Sequence, residues 1–240
     1  MLPATTINLQ GSFMNFIKSA VAAATLAAVM APATAAVVVL DFEGVGNLAN
    51  INNFYNGGTD SLGNSGVNYG VAFSTATLGL VDFDAGGTGN FANEPSASTV
   101  MIFLNANNAV LDVAAGFTTG FSFFYSSSTA ASVTVWDGLG ASGTLLGTLA
   151  LTAQGSANNC VGDPNGSFCN WTAVGVNFSG TAKSIDFGGT ANQTGFDNIT
   201  FGSETPVPGI PEPSTYAMLA LGLAGVGFVA RRRKAGRATA

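Results

Sequence analysis

Between Val37 and Phe201, apolar side chains recur at every second position in short runs broken by glycine, asparagine and aspartate. That period turns one face of each run to a core and the other to solvent, the pattern of a β-strand rather than a helix. The stretches Val37 to Glu43, Leu78 to Phe83, Gly120 to Tyr125, Ser132 to Trp136, Leu145 to Leu151, Trp171 to Phe178, Lys183 to Phe187 and Phe196 to Phe201 all read this way. Val100-Met101-Ile102-Phe103-Leu104 is apolar throughout, as a strand buried on both faces would be. With Val71 to Phe73 and Val110 to Val113, about ten or eleven short strands are predicted, with no helical stretch among them. Such a chain is expected to be all-β, an antiparallel β-sandwich that is jelly-roll-like in its strand order.

The two ends read differently. Lys18 supplies a positive start, Ser19 to Met30 is an alanine-rich apolar run, and Ala33-Thr34-Ala35 fits the small-x-small cleavage rule. A signal peptide is therefore predicted over 1–35, which implies the Sec export machinery as a partner. Residues 1–13 carry no charge, and Met14 is read as the true start. At the other end Pro206, Pro208, Pro211 and Pro213 predict an extended, exposed linker. Tyr216 to Ala230 is uncharged and reads as a short transmembrane helix. At ~1.5 Å per residue it spans roughly 22 Å, short of the ~30 Å hydrocarbon core. Arg231, Arg232, Arg233 and Lys234 then set the C-terminus on the cytoplasmic side. The predicted organisation is a signal peptide (1–35), a β-sandwich (36–206) and a tail (207–240).

Pro211-Glu212-Pro213-Ser214-Thr215, followed by a short apolar helix and an arginine cluster, resembles the PEP-CTERM sorting domain of Gram-negative bacteria. The resemblance covers residues 208–234. It implies recognition by exosortase, a membrane-embedded cysteine protease-like transpeptidase, with transient anchoring in the inner membrane. Cleavage near the Pro-Glu-Pro motif would follow, then passage to the cell surface or exopolysaccharide matrix. The logic parallels that of a lipid-anchor signal whose hydrophobic tail is removed.

Charge narrows the function classes. Outside the two signals Lys183 is the only basic residue, set against twelve carboxylates. Such a surface repels phosphate backbones, so nucleic acid is excluded as a partner, and it attracts cations. The chain has no histidine, which removes the usual general base and the commonest transition-metal ligand. Cys160 and Cys169 enter an oxidising compartment and are expected to form a disulfide around an eight-residue loop.

If the first and last strands run side by side, Asp41 or Glu43 comes near Asp197 and Asn198, a hard-oxygen set of the kind Ca²⁺ takes. Gly195-Phe196-Asp197-Asn198-Ile199 is similar to the closing strand of exported bacterial sandwiches, including carbohydrate-binding modules. That likeness implies a structural calcium ion at this place. Asp82 and Asp84 lie on one side of a strand but lack the remaining ligands of an EF-hand loop. Sugar binding needs exposed aromatics, and Tyr55, Tyr69, Tyr125, Trp136 and Trp171 are the candidates. Trp136, beside the Asp137-Gly138 turn, is the expected rim residue. The leading expectation is a non-catalytic surface or matrix protein associated with exopolysaccharide or biofilm. The alternatives are a calcium-dependent carbohydrate-binding module and a secreted glycan-active enzyme working with an unassigned carboxyl pair.

Overall fold

The computed structural model describes residues 37–104, 109–155, 160, 166–188 and 191–208. The predicted signal peptide with Met14, the sorting residues Pro211 to Thr215, the apolar stretch 216–230 and the cluster Arg231 to Lys234 lie outside the described residues. Among the described residues there are eleven strands and no helix.

The strands form two sheets. The first runs β3 (Leu78–Val81), β4 (Thr99–Ile102), β11 (Thr194–Phe201), β6 (Gly120–Ser127), β9 (Thr172–Asn177), and β1 (Val38–Leu40) also pairs with β11. The second runs β2 (Val71–Phe73), β5 (Val110–Phe117), β10 (Ala182–Asp186), β7 (Ala131–Trp136), β8 (Leu145–Leu151). All strand pairings are antiparallel. Strands β4 to β11 alone give the orders β4-β11-β6-β9 and β5-β10-β7-β8, the double Greek key of a jelly roll.

Period-two patterning builds the core. Phe121, Phe123 and Tyr125 of β6 and Phe196, Ile199 and Phe201 of β11 share one buried cluster with Leu111 and Val113 of β5, Val133 and Val135 of β7, Ile185 of β10, and Phe187. The rings of Phe121, Phe123, Phe187 and Phe196 meet with centroids 5.0–6.2 Å apart. Such contacts add ~0.5–1.5 kcal/mol each beyond the area they bury.

One irregularity positions the rest. The core residues Phe196 and Ile199 are three apart, which strict alternation does not allow. A β-bulge resolves it: Asp197 pairs with Phe124 and Thr200 with Ser122, three steps on β11 against two on β6. Asn198 takes up the extra residue at φ 48°, a left-handed conformation that asparagine tolerates better than most residues. Ile199 and Phe201 thereby return to the core, while Asp197 and Thr200 fall on the outer face.

That outer face is covered all the same, which is why β11 is buried along its full length. Phe91, Val100 and Ile102 form a second cluster there with Phe168 and Trp171. Trp171 lies over Gly195, where a Cβ would sit 3.3 Å from the indole. The disulfide forms as expected between Cys160 and Cys169, with Cα atoms 5.3 Å apart, in the connection between β8 and β9. On the other half of the face the chain leaving β11 folds back over β6 and β9. Ser122 Oγ donates to the Ser203 carbonyl at 2.9 Å, and the Val207 amide donates to Thr200 Oγ1 at 3.2 Å. Gly175 makes room for this strap, since a Cβ there would sit 1.8 Å from the Glu204 carbonyl oxygen. Pro206 is therefore buried, not part of an exposed linker as its composition predicts. The correction is physical: glycines on a flat sheet leave a trough that a short extended segment fills.

Candidate functional site

The pairing of β1 with β11 sets Leu40 opposite Ile199, so the residues just beyond β1 reach the bulge. Asp41, Glu43 and Asp197 are gathered there, and the stretch preceding β4 is laid across them. Ser96 holds it in place. Its amide donates to Asp197 Oδ2 at 2.7 Å, and its Oγ lies within 3.3 Å of Asp197, the Asp41 carbonyl and Glu43 Oε1. Glu43 Oε1 accepts the Ser98 and Thr99 amides at 2.9 and 2.8 Å, and Oε2 accepts Ser98 Oγ at 3.2 Å. Asp197 Oδ1 also accepts the Asn198 amide at 2.7 Å. Asp41 Oδ1 accepts the Glu43 amide at 3.2 Å, while the Tyr55 hydroxyl accepts the Phe42 amide at 2.7 Å.

Burial shapes the acid–base behaviour of this junction. It pushes the Asp197 carboxyl up to about 8, against the lowering effect of the Ser96 hydrogen bonds. Burial also raises Asp41, with Glu43 adding repulsion, and raises Tyr55 well above the usual phenol range. Glu94, on the same stretch as Ser96, is pushed up to about 7 by burial and then by Asp82, Asp84 and Glu43. A protonated Asp197 donates to Ser96 Oγ, which is then free to donate to Glu43 or the Asp41 carbonyl.

Asp41, Glu43 and Asp197 are thus brought together, as the strand adjacency predicts. Among the described residues, however, no group of three or more acidic or cysteine side chains is arranged to hold a metal ion. Most of the carboxylate oxygens already accept protein donors. The Asn198 amide is the exception in this neighbourhood: it is fully buried and neither Nδ2 nor Oδ1 has a partner. Sequence reasoning missed Ser96, Ser98 and Thr99. Their one sequence signal is the alternation of small hydroxyl residues next to Glu94-Pro95, which is common in this chain.

The aromatic candidates separate by exposure. Tyr55 and Tyr125 are buried at 3% exposure each. Trp171 is half-buried and donates its indole N–H to the Ala92 carbonyl at 3.0 Å. Trp136 is half-buried, and its indole N–H donates to Thr134 Oγ1 at 2.9 Å. Tyr69 is 41% exposed. The pocket beside Trp171, lined by Phe91, Phe168, Asn90 and Asn192 among others, holds about 30 Å³. That is room for one or two waters and not for a pyranose ring.

The described residues form an acidic jelly-roll β-sandwich. Residues 209–234 match the family described as the PEP-CTERM protein-sorting motif. The chain therefore carries a PEP-CTERM sorting motif, which implies an exported protein with a C-terminal membrane-anchoring sorting signal and processing by exosortase. No curated protein matches its sequence. Among solved structures it is similar to the K2 cleaved adhesin domain of Lys-gingipain, with 13% identity, a TM-score of 0.43, and coverage of 69% of this chain and 97% of that one. A family 6 carbohydrate-binding module matches at 20% identity and TM-score 0.33, over 54% of this chain and 85% of its own. The carbohydrate-binding module from Cellvibrio mixtus lichenase 5A, in complex with cellotriose, matches at 17% identity and TM-score 0.33, over 53% and 87%. Likeness at this level says nothing of a ligand or an activity.

Proposed function

We propose that the mature protein is a non-catalytic component of the cell surface or extracellular matrix, left among exopolysaccharide once exosortase has removed its tail. The observation that carries this reading is the sorting motif at 209–234 at the end of a folded, strongly acidic sandwich. The strap's contact at Val207 lies on the N-terminal side of the Pro-Glu-Pro motif, so cleavage near that motif would leave this contact with the released domain. The test is fractionation of the tagged protein in a host that carries exosortase. Changing Pro211, Glu212 and Pro213 to alanine is expected to leave an uncut species in the inner membrane. Normal release of that variant would overturn the reading.

A calcium-bearing junction is a second reading, favoured by the buried, unpartnered Asn198 amide beside Asp197. Asp41, Glu43, Asp197 and Asn198 would supply hard oxygens, and the ion would offset the charge whose burial is costly at Asp41 and Asp197. Ligand at ~100 times its Kd raises stability by roughly 2.7 kcal/mol. Melting that rises by several degrees in millimolar Ca²⁺ and falls back in EDTA supports this reading; identical melts dismiss it.

A further inference from the structure

The loop between β1 and β2 carries a platform that the junction does not use. Tyr69 is 41% exposed, and its ring lies 6.1 Å from that of the buried Tyr55, with 25° between their planes. The Tyr69 amide donates to the Tyr55 carbonyl at 2.9 Å, which fixes the backbone beneath the ring next to Asn56. The same loop carries the side chains of Asn53, Asn56 and Asn68. Asn56 Nδ2 donates to Asn53 Oδ1 at 3.2 Å, and Asn68 Oδ1 accepts the Gly70 amide at 3.0 Å. All three side chains belong to exposed residues. Gly57 and Gly58 let the asparagines pack close: a Cβ at Gly57 would sit 2.9 Å from Asn68 Nδ2, and one at Gly58 would sit 2.7 Å from the Asn53 Cβ.

The loop carries three acids, Asp41, Glu43 and Asp60, and all are engaged within the protein: Asp60 accepts the Gly46, Leu62 and Asn64 amides at 2.8–2.9 Å, Glu43 accepts the Ser98 and Thr99 amides, and Asp41 Oδ1 accepts the Tyr55 hydroxyl at 3.5 Å. An exposed aromatic ring and exposed amide side chains on the same loop match the chemistry of a sugar ring. Axial C–H groups lie on the aromatic face while hydroxyls bond the amides. The strongly acidic domain around it disfavours polyanions.

We propose that Tyr69, with Asn53, Asn56 and Asn68, forms a binding site for neutral hexopyranose polysaccharide. The proposal takes from the surface-and-matrix reading only the place where such a glycan is met, so a binding assay and a fractionation can fail separately. The test uses the full chain expressed with both terminal signals and purified in the form the host exports. It is titrated calorimetrically with cellohexaose, maltohexaose, the hexamer of N-acetylglucosamine and, as the charged comparison, an alginate hexamer. Binding to at least one neutral hexamer and not to alginate is expected. Tyr69→Ala should weaken it about tenfold with melting unchanged, Tyr69→Phe should stay within about threefold, and Trp136→Ala should have no effect. Asn56→Ala leaves the stacked rings in place and should weaken binding several-fold by itself, which keeps the test valid if Tyr69→Ala proves unstable. No binding to any neutral hexamer, a preference for alginate, or affinity that survives both Tyr69→Ala and Asn56→Ala would overturn the proposal.

Discussion

The acidic junction at the β11 bulge and the loop carrying Tyr69 are both polar, and they use that polarity in opposite ways. At the junction the carboxylates of Glu43 and Asp197 are buried or half-buried and accept amide and hydroxyl hydrogens from the stretch preceding β4. On the loop, Asn56 bonds Asn53 and Asn68 bonds the local backbone, and all three residues are exposed. The first arrangement holds the fold together; the second leaves capacity for a partner. A polar cluster is thus a functional candidate only after its internal bonds have been counted.

The sharpest way to break this comparison is Asp197→Ala. It strips the partners from the Ser96 and Asn198 amides at a fully buried position, at a cost of about 3 kcal/mol. For a domain of this size that lowers the melting temperature by about 10 °C, measurable by calorimetry. A change under two degrees would remove the junction's structural role. Gly175→Val comes next. Its Cβ displaces the Glu204 backbone, so the strap lifts and Pro206 is exposed. Overpacking of this kind costs ~1–3 kcal/mol, and limited proteolysis around residue 204 should speed up in step.

Acidity gives a subtler test, made in EDTA. Asp197 titrates at about 8 folded against an ordinary 3.8, and Glu94 at about 7 against 4.5. The folded state therefore holds more protons than the unfolded one between those values. The contribution of these two carboxyls to stability is fully present below about pH 4 and is lost as the pH rises toward 8. Melting temperature against pH should show that fall, and Asp197→Asn should flatten it. The smallest effect belongs to Tyr69→Ala, expected to cost under about 1 kcal/mol because one face of the ring is already in water. A large loss would place Tyr69 with the junction, as a structural residue.

Much of this was legible beforehand. The period-two runs gave the strands because side-chain alternation is a local consequence of the pleat. The adjacency of Asp41 and Glu43 with Asp197 followed from the tendency of first and last strands to pair in a jelly roll. Ser96 was not legible, because its role depends on a contact spanning 101 residues to Asp197. Trp136 stands out in sequence beside its turn, yet half of it is covered and its N–H is paired. Tyr69 reads as one loop aromatic among several until Tyr55 is seen beneath it.

By itself the sequence determined the strand pattern, the acidic character and the sorting tail, since each rests on residue type and short-range spacing. Only the tertiary structure decided which acids are buried, that the chain before the tail docks as far as Val207, and which aromatic meets solvent. Those outcomes depend on what covers each sheet face, and the covering segments come from far along the chain.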